Sequence, residues 1–259
     1  MKINLVRFDM NIGKNKPENI IHKENSCPFC HPEGLTDIYA TDEGGILLLK
    51  NKYDVLANAD QLVLVETDRC GVDMPDYAPE HMRRIVRFGV AKWLEMKASG
   101  KYSAVIFFKN HGHLSGGTMR HAHMQIVGFR GGVDPSLFPD AEDFEGLPII
   151  ERNDVQLNAA THPRLGFGEF NLVAAQTEDA IDTLADLMQK TVAYVCDRFQ
   201  KSEDSYNIFF YHTEEKIAAK IMPRFPTSPL LIGYDLRILP SNLTEFIEDF
   251  RQKQLRTIP

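Results

Sequence analysis

Several features are scarce in this sequence, and each absence excludes a class of protein. No apolar run reaches the roughly 18 residues that a membrane-spanning helix needs. Basic residues are in the minority, with 29 Lys and Arg against 36 Asp and Glu and a formal net charge of −7. The opening residues, MKINLVRFDMN, lack the apolar stretch of a secretion signal. We therefore expect a cytoplasmic protein with no membrane or nucleic-acid partner.

Cysteine is also scarce, at four residues in 259. With no secretion signal, this number argues against a disulfide scaffold and for a reducing compartment. Two of the four lie in Cys27-Pro28-Phe29-Cys30. Two thiols at this spacing are the usual half of a tetrahedral zinc site. A redox pair and two unrelated free thiols remain open as alternatives.

The most informative segment covers residues 105–129 and reads VIFFKNHGHLSGGTMRHAHMQIVGF. It predicts a strand, a glycine-rich loop and a second strand. Side chains alternate along a strand, so His121, His123 and Gln125 are expected on one face. The backbone N–H groups of a glycine loop can converge on an anion, and histidine can attack phosphorus to form a covalent intermediate. The segment therefore predicts a site that binds a phosphate group and attacks it.

The same segment resembles the galactose-1-phosphate uridylyltransferase branch of the histidine-triad superfamily. That branch carries Asn-x-Gly-x-x-x-Gly-x-Ser, two residues, and then His-Pro-His-x-Gln. The corresponding positions here are Asn110, Gly112, Gly116, Thr118, His121, Ala122, His123 and Gln125. Thr118 keeps the hydroxyl of the family's serine, and Ala122 replaces its proline. The third triad position is glutamine instead of histidine, which separates the chain from the hydrolase branches and indicates transferases and phosphorylases.

The resemblance implies a structural zinc ion held by Cys27, Cys30 and His121. The family's fourth ligand is a histidine that follows a strand, and here the segment LVLVETDRC ends in Cys70 instead. We predict Cys70 as the fourth ligand and keep His81 and His31 as reserves. Four protein ligands leave no open position for water, so the metal would be structural and not catalytic.

The resemblance also implies a double displacement, in which His123 attacks the α-phosphorus of a nucleotide-sugar or dinucleotide. A phosphate-bearing acceptor would then take the nucleotidyl group. Backbone N–H groups of Gly116 and Gly117, with Thr118 and Gln125, would stabilise the developing charge.

Further ligand contacts are predicted at Asn110 and Gly112, and Lys109 and Arg120 are candidate positive groups. Asn51 opens a segment, NKYD, that resembles the family's nucleoside-binding region, although an ordinary turn explains it equally well.

Three other functions remain open on the sequence. The first is a nucleotide phosphorylase or hydrolase on the same fold. The second is a metallohydrolase with both histidines on a catalytic zinc ion, but the motif offers no nearby carboxylate ligand. The third is a nucleotide-binding module without activity.

Apolar periodicity predicts an α+β fold in which strand, helix, strand and strand occur twice. The first helical face comprises Met82, Ile85, Val86, Gly89, Trp93 and Met96. The second comprises Ile181, Leu184, Ala185, Met188, Val192, Val195 and Phe199. We predict an active histidine-triad-like unit at 1–135, a connecting loop at 136–168 and a degenerate unit at 169–259. The second copy ends in Ala218-Ala219-Lys220 without histidines. A tandem of this kind, an antiparallel sheet with packed helices and a homodimer are what the family implies.

Overall fold

The computed structural model describes residues 3–198, 204–213 and 215–256. Phe199, predicted at the end of the second helical face, lies outside the described residues. The helices are α1 Met10–Gly13, α2 Pro79–Ala98, α3 Glu178–Arg198, α4 Pro229–Tyr234 and α5 Leu243–Phe250, and a π-helical turn, Arg251–Leu255, follows α5. The strands are β1 Ile38–Asp42, β2 Ile46–Lys50, β3 Ala59–Val65, β4 Ala104–His111, β5 His123–Phe129, β6 Gly146–Arg152, β7 Val155–Ala160, β8 Phe170–Ala175, β9 Tyr206–Thr213 and β10 Lys216–Pro223.

The chain divides into two compact units, which comprise residues 1–73 with 84–138 and residues 74–83 with 139–259. In the first unit, antiparallel strands follow the order β1-β2-β3-β5-β4. The strand that begins at His123 therefore lies inside this sheet, between β3 and β4. Val65 pairs with His123, and Phe108 pairs with Gln125.

The predicted apolar face of α2 packs on this sheet. The helix begins at Pro79, as expected of proline in a first turn. Met82, Ile85, Val86 and Trp93 are buried. A Cβ atom at Gly89 would lie 2.6 Å from the Phe107 ring, so glycine permits the close approach of helix and sheet.

The second unit repeats the strand order of the first. Its antiparallel order is β6-β7-β8-β10-β9, and α3 again follows the third strand. Each unit therefore runs strand, strand, strand, helix, strand, strand, which confirms the predicted α+β tandem. The ring of Phe170 packs with those of Tyr194, Phe246 and Phe250 in the core of this unit.

The prediction of a connecting loop at 136–168 is wrong, because this segment contains β6 and β7. The two strands form a hairpin through Asn153 and Asp154, which both have positive φ, at 46° and 58°. Such a two-residue turn matches the twist of antiparallel strands. Pro148 and a register shift beside it interrupt the alternation in β6, which hides the strand from a periodicity argument. The hairpin supplies the first two strands of the second repeat.

Among the described helices, none is both long enough and apolar enough to cross a membrane.

Candidate active site

His123 opens β5 and has a fixed hydrogen bond at one ring nitrogen. Its Nδ1 lies 2.8 Å from the main-chain oxygen of His121. A carbonyl oxygen only accepts, so Nδ1 must carry the hydrogen and Nε2 must present a lone pair when the ring is neutral. Burial, with a smaller contribution from the nearby Lys109 and His111, lowers the pKa of His123 to about 4, so the ring is neutral at pH 7.

His121 precedes β5, and its side chain is fully buried beside the cysteines. The ligand atoms of Cys27, Cys30, Cys70 and His121 all lie within 4.8 Å of one another. Nδ1 of His121 is 3.7 Å from Sγ of Cys27 and 3.6 Å from Sγ of Cys30. Tetrahedral zinc with ordinary bond lengths would place such atoms about 3.6 Å apart. The four predicted ligands therefore come together in a geometry that could hold a metal ion.

The remaining ring nitrogen of His121 supports the same interpretation. Nε2 lies 2.8 Å from the main-chain oxygen of Thr67, so Nε2 donates and Nδ1 is left as a lone pair towards the thiols. Burial raises the pKa of Cys27, but its close contacts with His121 and Cys30 outweigh burial and bring it down to about 6. The reserve ligands lie elsewhere: His31 pairs with Glu33, and His81 packs edge-on against Tyr77.

Phe29, between the two cysteines, connects this cluster to the candidate nucleophile. Its ring centroid lies 5.7 Å from that of His121 and 5.7 Å from that of His123. Such aromatic contacts favour one ring orientation over others. Sequence patterns give Phe29 no role, because a single residue between two cysteines has no periodicity that would indicate its contacts.

The glycine loop between β4 and β5 has the backbone that its glycines allow. Gly112 and Gly116 adopt φ values of 77° and 85°, which other residues seldom adopt. Ser115 holds the turn, because its hydroxyl donates to the Gly112 oxygen and accepts from Gly117 N–H at 3.1 Å. In this structure the Gly117 N–H is therefore engaged within the loop, and the Gly116 N–H and Thr118 hydroxyl are the better candidates for a phosphate.

Asn19 lies against the same loop. Its backbone N–H donates to the Thr118 oxygen at 2.9 Å. Its side-chain oxygen accepts from the Arg120 N–H at 2.7 Å. Asn19 is fully buried. A single asparagine in a polar segment gives no signal of a contact about 100 residues away, and the hydrogen bonds alone reveal it.

Two other predicted ligand residues lie at strand ends. Asn110 is the next-to-last residue of β4, and its Cβ would lie 3.5 Å from a Cβ atom at Gly117. Asn51 follows β2, where its side-chain oxygen accepts from Tyr53 N–H at 2.9 Å. Asn51 therefore stabilises a turn in this structure, which is the ordinary interpretation of its segment.

Lys109 is not available to a phosphate, which corrects the prediction that it supplies local positive charge. Its side chain is buried and forms ion pairs with Glu66 and, at 2.9 Å, with Asp73. Burial alone would lower the pKa of Lys109, but the two carboxylates outweigh burial and raise it. Arg120, the other candidate, is exposed.

The second unit carries no histidine pair on β10, the strand that corresponds to β5 in the repeat. Ala218, Ala219 and Lys220 are all buried there. The amine of Lys220 lies 3.7 Å from the carboxylate of Glu169. That carboxylate also accepts the backbone N–H groups of Arg164, Leu165 and Gly166. Lys220 and Glu169 therefore form an internal structural cluster on this strand.

Comparison with protein families matches both halves of the chain. Residues 8–131 match the N-terminal model, and residues 138–255 the C-terminal model, of a family described as "Domain of unknown function (DUF4931)". Comparison with curated protein sequences gives no match.

Solved structures agree with this assignment. A DUF4931 family protein from Bacillus cereus ATCC 10987 is 38% identical, with a TM-score of 0.74 over 83% of this chain and 98% of its own. A structure described as uridylyltransferase is 16% identical, with a TM-score of 0.71 over 91% of this chain and 93% of its own. ADP-glucose phosphorylase from Arabidopsis thaliana, solved with bound ADP-glucose, is 14% identical, with a TM-score of 0.73 over 96% of this chain and 98% of its own.

The last two similarities, at low identity, show the fold. The two family models and the Bacillus cereus relative together show that the chain belongs to the DUF4931 family.

Proposed function

We propose that this protein is a nucleotidyltransferase that carries a nucleoside monophosphate on His123. The donor would be a nucleotide-sugar or a dinucleotide, and the acceptor would bear a phosphate group. One observation carries the proposal: the Nδ1 hydrogen bond to the His121 oxygen directs the lone pair of His123 to Nε2. A neutral imidazole with its free nitrogen beside a glycine loop is suited to attack phosphorus.

In the first step, Nε2 of His123 forms a bond to the α-phosphorus, and the bond from phosphorus to the bridging oxygen breaks. The leaving phosphate-bearing group departs with the electron pair. In the second step, an acceptor oxygen attacks the same phosphorus, and the phosphorus–nitrogen bond breaks. The lone pair returns to Nε2, so the protein is regenerated unchanged.

Hydrogen-bond donors near His123 would stabilise the negative charge on the phosphoryl oxygens. We assign this role to the Gly116 N–H, the Thr118 hydroxyl and the Gln125 amide. Donors held in place before the reaction stabilise a transition state by about 3–4 kcal/mol each. Gln125 is uncharged at all pH values, so it binds a phosphoryl oxygen without exchanging a proton.

We propose that Cys27, Cys30, Cys70 and His121 hold a structural zinc ion. Three thiols and one imidazole form an ordinary zinc ligand set, and the ligand atoms lie within 4.8 Å of one another. When bound, the ion would tie the N-terminal loop to the segment before β5. All four cysteines of the chain are free thiols, which favours a reducing cytoplasm, and family resemblance favours a homodimer.

A phosphorylase is the second candidate, because one of the solved structures that share the fold is described as an ADP-glucose phosphorylase. In both cases the first half-reaction is the same, and only the acceptor differs. Product analysis with inorganic phosphate or with a hexose phosphate as acceptor therefore decides between them.

Intact-protein mass spectrometry under non-acidic conditions tests the proposal, after incubation with UDP-sugars, ADP-sugars and dinucleoside polyphosphates. We expect a mass increase of one nucleoside monophosphate, which identifies the base, and no increase in His123→Ala. Lys216→Ala, at an exposed position of β10, is the matched control and should form the adduct normally. Nucleotide binding without an adduct from any donor would contradict the covalent mechanism.

A further inference from the structure

We propose that Asn19 is a further residue of the active site, where its side-chain amide donates a hydrogen bond to a phosphoryl oxygen of the nucleotide. This inference rests on the proposed function. It adds a residue that lies outside the histidine motif, in a segment that sequence patterns leave without a role.

The first observation is the position of Asn19. Its backbone N–H donates to the Thr118 oxygen and its side-chain oxygen accepts from the Arg120 N–H, at 2.9 and 2.7 Å. Asn19 therefore bridges the residues that run from the glycine loop into His121. Thr118 carries the hydroxyl assigned to the phosphate, so Asn19 is in direct contact with a residue proposed to bind it.

The second observation is an unused donor. Nδ2 of Asn19 is buried and has no hydrogen-bond partner in the part of the chain that the structure describes. Its orientation is not arbitrary. The Arg120 N–H is a donor, so the side-chain oxygen must face it, and Nδ2 must point away from Arg120.

A buried donor without a partner destabilises a protein, so such a group in a native structure calls for an explanation, and a bound acceptor is one. The two hydrogens of Nδ2 require an acceptor. The Gly116 N–H, the Thr118 hydroxyl and the Gln125 amide, assigned above to the phosphoryl oxygens, are also hydrogen-bond donors that suit an anion. A phosphoryl oxygen is the acceptor that this arrangement fits, and an amide donor adds affinity without adding a titratable group.

The segment after Asn19 links the site to the cysteine cluster. The Glu18 carboxylate accepts from Ile21 N–H at 2.6 Å and from His22 N–H at 3.1 Å. The Asn25 side-chain amide donates to the main-chain oxygen of Glu18 at 2.7 Å. This hydrogen-bonded turn leads directly to Cys27, so Asn19 is held at a defined place between the glycine loop and the cysteines.

Equilibrium binding of UMP and AMP, measured by calorimetry, tests the inference without requiring turnover. Asn19→Asp keeps the oxygen that accepts from Arg120 but replaces the donor with a negatively charged oxygen. Asn19→Ala removes both contacts. We expect Asn19→Ala to weaken binding of the nucleotide that the wild type prefers by about 10- to 100-fold, and Asn19→Asp to weaken it more than Asn19→Ala.

Asn11→Asp is the matched control, because it makes the same charge change at an exposed residue outside the turn that holds Asn19, and its affinity should stay within about twofold of wild type. In the wild type, the Asn19 side-chain amide resonances should also shift when the nucleotide is added, which gives a readout if a variant does not fold.

The outcomes separate this inference from the proposed function. Equal affinity in Asn19→Asp and wild type, or unmoved amide resonances, would overturn the contact and leave the histidine adduct unaffected. A wild-type protein that binds nucleotide through Asn19 but forms no adduct would sustain the contact and overturn the transferase. No binding of either nucleotide by the wild type would overturn the contact.

Discussion

The two units of this protein share one strand order but use the corresponding strands differently. In the first unit, β5 opens with His123. Two residues earlier, His121 lies in a cluster with Cys27, Cys30 and Cys70. In the second unit, the corresponding strand carries Lys220, which is buried beside Glu169. The comparison shows that a buried polar group on this strand of the fold is not by itself a sign of catalysis. The first unit differs because the hydrogen bond at Nδ1 of His123 leaves a lone pair on Nε2 of that ring.

Each unit also contains one fully buried lysine with carboxylate partners. Lys109 pairs with Glu66 and Asp73, and Lys220 lies near Glu169. A buried ion pair of this kind is costly to break, because the remaining charge is left without a partner. We therefore assign both lysines to the structure of their units and not to the reaction.

The largest effect on stability is expected from Glu169→Ala in the second unit. This substitution would leave Lys220 without its carboxylate and three backbone N–H groups without their acceptor. We expect a loss of about 3–5 kcal/mol in the free energy of unfolding, measured with urea. Glu151→Ala, at an exposed position of β6, is the control and should change stability by less than about 0.5 kcal/mol. Normal stability in Glu169→Ala would contradict a structural role for this cluster.

The next largest effect is expected from Cys70→Ala in the first unit. Removing one ligand should lower the bound zinc, measured by elemental analysis, to well below one ion per chain. The melting temperature should fall by about 5–10 °C, because a destabilisation of a few kcal/mol has that effect in a protein of this size. Cys196→Ala in α3 removes a cysteine outside the cluster and should keep full zinc content. Equal zinc content in the two variants would exclude Cys70 as a ligand.

Phe29→Ala tests whether the cysteine loop orients His123 directly. The substitution removes the ring contact with His123 and leaves every proposed zinc ligand in place. We expect adduct formation to slow by about tenfold, an effect of about 1.4 kcal/mol, with unchanged zinc content. Phe29→Leu should restore part of the rate, and Phe167→Ala in the second unit should not slow adduct formation. A normal rate in Phe29→Ala would show that His123 is oriented without the ring.

The smallest effect concerns acid stability and compares one aspartate in each unit. Burial raises the pKa of Asp60, but hydrogen bonds from Tyr102 and Arg130 outweigh burial and lower it. A lowered pKa stabilises the fold above about pH 4 and loses that effect as the pH falls through the folded-state value. Asp60→Asn should therefore cost about 1 kcal/mol at pH 7 and progressively less below pH 4.

In the second unit, Asp249 also has a lowered pKa, because it accepts from the Tyr194 hydroxyl at 2.7 Å. Asp249→Asn should show the same dependence on pH in urea unfolding. A stability difference that stays constant from pH 7 to pH 3 would contradict the assignment in either unit.

The sequence predicted those parts of the site whose chemistry is concentrated in short motifs. The cysteine pair, the histidine pair and the strand that leads to Cys70, taken together with the family resemblance, predicted four side chains whose ligand atoms the fold brings within 4.8 Å of one another. The helices were predictable for a related reason, because α2 and α3 each bury one continuous apolar face.

The features that sequence analysis missed depend on contacts distant in the chain or on interrupted patterns. Asn19 bonds to residues about 100 positions away, and no local pattern encodes such a contact. The hairpin of β6 and β7 was hidden by Pro148 and its register shift, although Asn153-Asp154 is a recognisable two-residue turn. The ion pairs of Lys109 depend on Glu66 and Asp73, which precede it by 43 and 36 residues.

His121 serves two purposes through two different parts of the same residue. Its ring faces the cysteines, and its main-chain oxygen accepts from the ring of His123. Any amino acid at position 121 would still present a main-chain oxygen, whereas only a few would present a metal ligand. The cysteine contact and the hydrogen bond to His123 therefore depend on different atoms of His121. A substitution that removes the His121 ring would remove a candidate metal ligand and still leave an acceptor for Nδ1 of His123.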